Sequence, residues 1–257
     1  MPIVSIKGRK LFYEYSGDGP VILCIHPPGM GRKAFLMQKS LSRYMRVVFF
    51  DLSGHGDSTT HVSPSLDLFI EDIEAVKREM KTDQVFLFAY SAGCILAQKY
   101  TITYPNHVAG LILAGGYPKV DTKLLKWQHL IGIYMARKHP LVLAKLIAMS
   151  HLSDKELQQE LFRHMSKSNP YVWRKFYEFS LYFSCTAELS KWRHPLLLLY
   201  GEKDDHTNHH VRWYQNLPNV EIHFIKNATH QLPTKYYRET NDLILSFLDR
   251  TPKTFFV

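Results

Sequence analysis

Residues 85–93 read VFLFAYSAG, an apolar run that ends in a turn of small residues around Ser91. The apolar run predicts a buried β-strand, and apolar residues at helical spacing begin directly after it. A sharp strand-to-helix turn needs small neighbours, and it pushes the side chain at its centre out of the sheet edge. The helix start also directs free N–H groups and a positive dipole end towards that side chain. Ser91 is therefore a candidate nucleophile, although an incidental serine between a strand and a helix is the simpler alternative.

The same alternation of strand and helix surrounds this stretch. Continuous apolar runs, which are typical of strands covered on both faces, lie at 21–25, 47–50, 85–90, 108–113 and 195–200. A hairpin is predicted around residues 7–10, and residues 220–225 alternate like an edge strand. In most of the segments between these runs, apolar residues recur at helical spacing. We expect an α/β fold, with a mostly parallel eight-stranded sheet and helices on both faces.

Residues 117–194 interrupt the alternation. This segment is rich in aromatic residues, and helical patterns cover 124–135, 141–150, 154–165 and 171–183. We interpret it as a helical lid inserted between two parts of the α/β core, residues 1–116 and 195–257. Two of its aromatic residues, Trp127 and Trp173, are expected to contact substrate.

Composition narrows the class of protein. The chain has 257 residues and three widely spaced cysteines, which allow no disulfide framework and suit a reducing compartment. The sequence shows neither a signal peptide nor a membrane-spanning run, so a cytoplasmic protein without an integral membrane segment is expected. The net charge is +9, but no nucleic-acid-binding motif accompanies it. The last residues predict a loose tail, unless Phe255 and Phe256 pack on the core.

Three side chains follow predicted strands in an order that suits acyl transfer. Serine catalysis needs a nucleophile, a base that takes its proton and a carboxylate that orients the base. Ser91 follows one strand, Asp204 follows a later Gly-x-x-Asp turn, and His230 follows the last strand. Ligands of parallel sheets bind at the carboxyl ends of the strands, so these side chains are expected to meet. Asp205 is the alternative carboxylate.

These motifs make the chain similar to the α/β-hydrolase fold superfamily, in particular to its lid-bearing serine hydrolases. The resemblance covers residues 10–250 and rests on five motifs: His26-Pro27-Pro28-Gly29, Asp51-x-x-Gly54-x-Gly56-x-Ser58, Ala89-x-Ser91-x-Gly93, Gly201-x-x-Asp204 and His230. It implies that Ser91 is the nucleophile, His230 the base and Asp204 the orienting acid. A serine at the turn argues against the haloalkane dehalogenases and epoxide hydrolases of the superfamily, which carry an aspartate there.

The chain departs from the superfamily pattern at two positions. Ala89 replaces a glycine and is still small. Pro28 stands where the superfamily takes one of its two oxyanion-hole N–H donors, and proline has no N–H. Ala92 is expected to supply one of the two N–H donors. Gly29 is expected to supply the second, or Met30 if the loop is shifted. Pro28, Met30 and Tyr90 are expected to contact substrate.

The positive charge is concentrated in the predicted lid. Residues 117–194 contain thirteen Lys and Arg against six Asp and Glu. This excess favours an amphiphilic or anionic substrate, or a nearby anionic membrane surface, although a solvated lid surface explains it equally simply. The acidic and histidine residues of 204–210 match no known metal-ligand spacing, so neither a metal nor a cofactor is expected. His26, His55 and Asp51 are expected to have structural roles.

The sequence thus leads to three functional hypotheses. The first is a serine hydrolase that cleaves an ester, thioester or related acyl bond of a small, partly apolar molecule. The second, suggested by Pro28 and the lid, is a ligand-sensing or partner-binding protein with slow turnover on the same fold. The third is a cofactor-free C–C hydrolase or lyase that uses the same residues. The oligomeric state is left open.

Overall fold

The fold was analysed in a computed structural model that describes residues 2–251, so the predicted packing of Phe255 and Phe256 lies outside it. The strands are β1 (Ile3–Ile6), β2 (Arg9–Ser16), β3 (Val21–Ile25), β4 (Arg46–Phe50), β5 (Val85–Tyr90), β6 (Val108–Ala114), β7 (Leu196–Gly201) and β8 (Val220–Ile225). They form one eight-stranded sheet in the order β1-β2-β4-β3-β5-β6-β7-β8. The β1–β2 and β2–β4 pairs are antiparallel, and the pairs from β4 to β8 are parallel. The expected mostly parallel eight-stranded sheet is confirmed.

Helices cover both faces of the sheet. They are α1 (Leu66–Glu79), α2 (Gly93–Thr103), α3 (Lys123–Lys138), α4 (Pro140–His151), α5 (Lys155–Met165), α6 (Pro170–Tyr182), α7 (Leu232–Lys235) and α8 (Tyr237–Arg250). Short 3₁₀ segments span Arg32–Arg43, Pro105–His107, Leu189–Lys191 and Asn208–Trp213. Within residues 2–251, no helix combines the length and the apolarity that crossing a bilayer requires.

The central strands are buried because side chains on both of their faces meet helices. Successive residues of β5 belong to two separate clusters: Leu87 packs with α1 and α2, whereas Phe88 packs on the side of α8. Every residue of β3, β5, β6 and β7 is buried. This burial on both faces is the reason why these strands are continuously apolar in the sequence.

Helices α3 to α6 lie between β6 and β7, where the sequence predicts an insertion. Side-chain caps explain where three of them begin, because Thr122, Asp154 and Asn169 each accept a backbone N–H of the first turn. The α5–α6 end of the insertion is bound to the core: Asn169 donates its N–H to the carbonyl of Gly54 at 2.8 Å. The domain boundaries at residues 116 and 194, and the action of the insertion as a lid, stay predictions.

Candidate active site

Ser91 lies at a sharp turn between β5 and α2. Its φ is +52°, in the left-handed region that non-glycine residues rarely adopt. Its N–H is fixed by the carbonyl of Ala114 at 2.8 Å. Gly93 permits the turn, since a Cβ at this position would lie 2.6 Å from the carbonyl oxygen of Ile25. The local sequence therefore produces the strained geometry that exposes a serine hydroxyl at the sheet edge.

Ser91, His230 and Asp204 form one chain of hydrogen bonds. His230 Nε2 lies 2.8 Å from Ser91 Oγ, and His230 Nδ1 lies 2.7 Å from Asp204 Oδ2. Because a carboxylate can only accept, Nδ1 carries the hydrogen and Nε2 is free to take the serine proton. The structure thus brings together the three side chains that the sequence predicts. In the chain, His230 lies 26 residues from Asp204 and 139 residues from Ser91.

Asp204 is held as a carboxylate. Burial alone would raise its pKa, but the His230 ring, the Thr207 hydroxyl and the His206 N–H lower the pKa to about 2. The neighbouring Asp205 is exposed. Asp204, and not Asp205, is therefore the carboxylate within hydrogen-bond distance of His230, and its orienting role in catalysis stays a prediction.

The loop after β3 approaches Ser91 from the other side. Met30 donates its N–H to the carbonyl of Pro27 at 3.3 Å, and Gly29 between them has φ +80°. Proline at the second position and a positive-φ glycine at the third are typical of a type II turn. This turn engages the N–H of Met30, so Gly29 and Ala92 are left as the candidate donors to an oxyanion. Their role in catalysis stays a prediction.

The candidate site is a narrow cleft of about 100 Å³. Core residues line it on one side, and residues of the helical insertion line the other. The core residues are Pro27, Pro28, Met30, Tyr90, Ser91, Ala92 and His230. The insertion residues are Leu125, Gln128, His129, Ile147, His151 and Tyr177. Among these described residues there is no Lys, Arg, Asp or Glu, so the site suits an uncharged group.

The geometry agrees with a comparison to protein families. The family Hydrolase_4, described as serine aminopeptidase S33, matches residues 31–235. The chain belongs to this family. Among curated proteins, this S33-family chain is 33% identical to the proline iminopeptidase PfmaB of Pestalotiopsis fici over 122 residues, 45% of this chain and 43% of the relative. It is 30% identical to the proline iminopeptidase of Thermoplasma volcanium over 135 residues, 49% of this chain and 46% of the relative. The alignments therefore span less than half the length of these relatives.

Solved structures share the fold over nearly the whole S33-family chain. The esterase EaEST of Exiguobacterium antarcticum superposes with a TM-score of 0.85 at 19% identity, covering 96% of this chain and 98% of the esterase. A thermophilic esterase of Thermogutta terrifontis gives a TM-score of 0.81 at 20% identity, with 97% of each chain covered. At these identities the similarity establishes the α/β-hydrolase fold.

Two predicted substrate contacts are wrong in this S33-family chain. Trp127 is 64% exposed on the outer side of α3 and does not line the cleft. Trp173 is buried behind the Pro27–Met30 turn, where a Cβ on Gly29 would meet its indole at 2.0 Å. Trp173 therefore supports the loop and does not contact the cleft. The other predicted contacts, Pro28, Met30 and Tyr90, do line it.

Sequence reasoning missed two histidines of the insertion that line the cleft. His151 Nε2 accepts a hydrogen bond from the Tyr90 hydroxyl at 3.0 Å, and His129 Nε2 accepts one from the Tyr117 hydroxyl at 2.9 Å. Burial lowers the pKa of each histidine to about 4, so both rings are neutral at physiological pH. The sequence shows that Leu125 and His129 stand one helical turn apart on one side of α3, but it does not show that this side is the buried one.

The loop histidines and Asp51 have the structural roles that the sequence predicts. His26 accepts the N–H of Leu52 at Nε2 (3.0 Å), and burial lowers its pKa to about 4. His55 is also buried, with a pKa lowered to about 3. Asp51 accepts the N–H of Arg32 at 2.7 Å and lies 2.9 Å from His164 Nε2.

One group of side chains resembles a metal site. Single ligand atoms of Asp51, Asp57 and His164 lie within 4.8 Å of one another. The Arg32 guanidinium, however, bonds to both carboxylates, and its Nη1 lies 2.9 Å from Asp57 Oδ2. Lys167 Nζ also lies 2.7 Å from Asp57 Oδ1. Because two positive charges already balance the two carboxylates, the group is better described as an ion-pair network that joins α5 to the core.

Proposed function

We propose that this chain is a serine hydrolase that cleaves an ester, thioester or related acyl bond of a small, partly apolar molecule. The observation that carries the proposal is the hydrogen-bonded chain from Ser91 through His230 to Asp204. It is supported by membership of a family of serine hydrolases and by the positive φ of Ser91.

The proposed reaction has two steps. Ser91 Oγ attacks the substrate carbonyl carbon while His230 Nε2 takes the hydroxyl proton, and Asp204 stabilises the resulting imidazolium. The tetrahedral oxyanion faces the N–H of Ala92 at the start of α2, and the Gly29 N–H is the candidate second donor. As the intermediate collapses, His230 gives its proton to the leaving group, and an acyl group stays on Ser91. Water, activated by His230, then releases the acid and restores the serine.

The cleft favours a small, neutral acyl group. Its volume of about 100 Å³ is well below the roughly 300–1,000 Å³ of sites for drug-sized ligands. An aminopeptidase must bind a substrate with a free amino group, and a protonated amine in a mostly apolar cleft needs a carboxylate partner. The residues that line this cleft supply none. We therefore favour ester or thioester cleavage over the peptidase activity named for the relatives.

A fluorophosphonate probe tests the proposal, because it reacts with activated serines. Rapid labelling that maps to the Ser91 peptide and is absent in Ser91→Ala is the expected result. Labelling should also slow strongly in His230→Ala, whereas a variant of the exposed His209 should label like the unchanged protein. Absence of labelling in a folded protein would contradict the proposal.

One observation favours the second candidate, a ligand-sensing protein with slow turnover. Pro28 removes an N–H at a position where the superfamily has an oxyanion donor, and loss of one donor costs about 10²–10³ in rate. Tight, saturable binding of a small ester without fast labelling of Ser91 would support that function.

A cofactor-free C–C hydrolase would label at Ser91 but would turn over diketones faster than esters.

A further inference from the structure

The helix pair α3–α4 carries large apolar side chains on its solvent side. On α3, the exposed residues recur at helical spacing, and on α4 a second exposed stripe follows. These residues are Leu124, Trp127, Ile131, Tyr134, Val142, Leu146 and Met149, which are 46–64% exposed. We call this set the outer face of α3–α4. An exposed apolar surface of this extent marks an interaction site on a soluble domain.

The charge on the same helix pair has a single sign. Residues 123–151 contain five Lys and Arg and no Asp or Glu. The basic residues Lys123, Lys126, Arg137, Lys138 and Lys145 are all exposed. They stand beside the apolar stripes and not inside the cleft, whose described lining contains no Lys or Arg. The positive charge of α3–α4 therefore lies outside the cleft.

We propose that the outer face of α3–α4 docks onto the surface of an anionic lipid bilayer. Apolar side chains with basic residues around them are the pattern of helices that lie in the plane of a membrane interface. Anionic headgroups attract Lys and Arg while the acyl boundary accepts Trp, Tyr and aliphatic side chains. A second copy of the chain fits worse, because pairing this face with itself would oppose five positive charges with five.

The docking face and the cleft share their helices. Leu125 and His129 of α3 and Ile147 and His151 of α4 line the cleft, while the other side of each helix forms the outer face. Docking therefore places one wall of the cleft against the lipid surface. The proposal does not rest on the hydrolase activity, since lipid binding requires none of the reacting groups.

Tryptophan fluorescence gives a direct readout of docking. Trp127 is 64% exposed, whereas Trp173 and Trp192 are buried, and Trp213 is half-buried and donates Nε1 to Asp121. We expect vesicles of phosphatidylglycerol and phosphatidylcholine in equal parts to shift the emission to shorter wavelength. The shift should disappear in Trp127→Phe, although that variant should still sediment with the vesicles. An unchanged emission spectrum would overturn the proposal.

Sedimentation with the same vesicles tests which side chains bind. Tyr134→Glu is expected to lower the partition coefficient at least tenfold, because a carboxylate replaces an aromatic ring that would enter the bilayer interface, and it repels the anionic headgroups. Tyr44→Glu is the matched control: Tyr44 is 64% exposed, against 57% for Tyr134, but it directly precedes β4 and lies outside helices α3 and α4. Lys126→Gln should weaken binding about fivefold, and Arg43→Gln should not.

Several results would overturn the assignment. These are equal binding to vesicles of phosphatidylcholine alone, binding that high salt leaves unchanged, and a Tyr134→Glu variant that binds like the unchanged protein. A dimer that Tyr134→Glu dissociates in sedimentation velocity would show that the face joins two copies. Ser91→Ala should bind vesicles normally, so failure of docking and failure of the proposed chemistry are told apart.

Discussion

The Tyr90 hydroxyl donates to Nε2 of His151 at 3.0 Å, and the Tyr90 ring centre lies 5.2 Å from that of His230. The direction of the hydrogen bond follows from the other side of the imidazole. His151 Nδ1 lies 2.8 Å from the carbonyl oxygen of Ile147, which can only accept, so Nδ1 carries the hydrogen. The residue before the candidate nucleophile thus connects helix α4 of the insertion with the candidate base.

Removing the Tyr90 hydroxyl is expected to destabilise the protein. Tyr90→Phe leaves the buried Nε2 of His151 without its donor, which costs about 1–3 kcal/mol in free energy of unfolding. Tyr15→Phe is the control, because Tyr15 is 52% exposed, and a change there should stay within about 0.5 kcal/mol. Urea denaturation measures both variants. Equal stability of Tyr90→Phe and the unchanged protein would contradict the role of this hydrogen bond.

Acid should weaken the fold as the pH falls below about 6.5, because the folded state keeps the His151 ring neutral. Burial lowers the pKa of His151 from 6.5 to about 4, so the unfolded chain takes up a proton at a pH where the folded chain does not. The stabilisation is complete above about pH 6.5 and is lost as the pH falls towards 4, by about 1.4 kcal/mol per pH unit. His151→Gln does not titrate, so its unfolding free energy should fall less steeply between pH 6.5 and 4. A variant of the exposed His209, His209→Gln, should keep the steep profile, and identical profiles for all three proteins would refute the assignment.

The two adjacent aspartates should differ sharply in catalysis. Asp204→Asn keeps the size of the side chain but removes the charge that orients the His230 ring, and a loss of about 10⁴-fold in kcat is expected. Asp205→Asn should retain nearly full activity, because Asp205 is exposed beside the site. Hydrolysis of short acyl esters by both variants decides the matter. The assignment fails if the substitution at Asp205 proves the more damaging one.

Removing one partner of the buried ion pair between Asp51 and Arg32 should cost far more stability than removing one partner of a surface pair. Burial alone raises the pKa of Asp51, but His164 and Arg32 hold this pKa well below its ordinary value. Asp51→Asn leaves the buried Arg32 with fewer partners, and a loss of about 3 kcal/mol is expected. Asp18→Asn removes a pair with Arg46 in which Asp18 is 98% exposed, so its effect should stay below about 1 kcal/mol. Guanidinium denaturation measures the stability of both variants. Equal denaturation midpoints for the two variants would contradict the assignment.

The sheet and the chain of hydrogen bonds at the site could be predicted because the evidence for them is local. Buried parallel strands are continuously apolar, and the functional side chains follow the ends of these strands. Ser91 and His230 therefore stand at positions that a linear reading can find, even though 139 residues separate them. Asp204 could be preferred over Asp205 from turn spacing, and its burial agrees with that choice.

The wall of the cleft that the insertion supplies could not be predicted in the same way. Helix α3 carries large apolar side chains on its exposed side as well as on its buried side, so periodicity does not show which side faces the core. The sequence predicts a substrate contact for Trp127 as an aromatic residue of the insertion, whereas Gly132 and Ala136 mark the buried side of the helix. Gly132 is needed there, since a Cβ would lie 2.8 Å from the Tyr177 ring. Tertiary packing, which the local pattern does not record, decides the orientation.

Pro28 offers a test of whether the oxyanion hole limits the rate. Pro28→Ala restores an N–H at the position where the superfamily has a donor, and alanine tolerates the second position of the turn that Pro27 and Met30 close. If this N–H faces the oxyanion, kcat for a short acyl ester should rise, by up to about 10²-fold. Pro27→Ala is the matched control, because it loosens the same loop without adding a donor at that position. An unchanged or lower kcat in Pro28→Ala, or an equal rise in Pro27→Ala, would show that the missing N–H does not limit turnover.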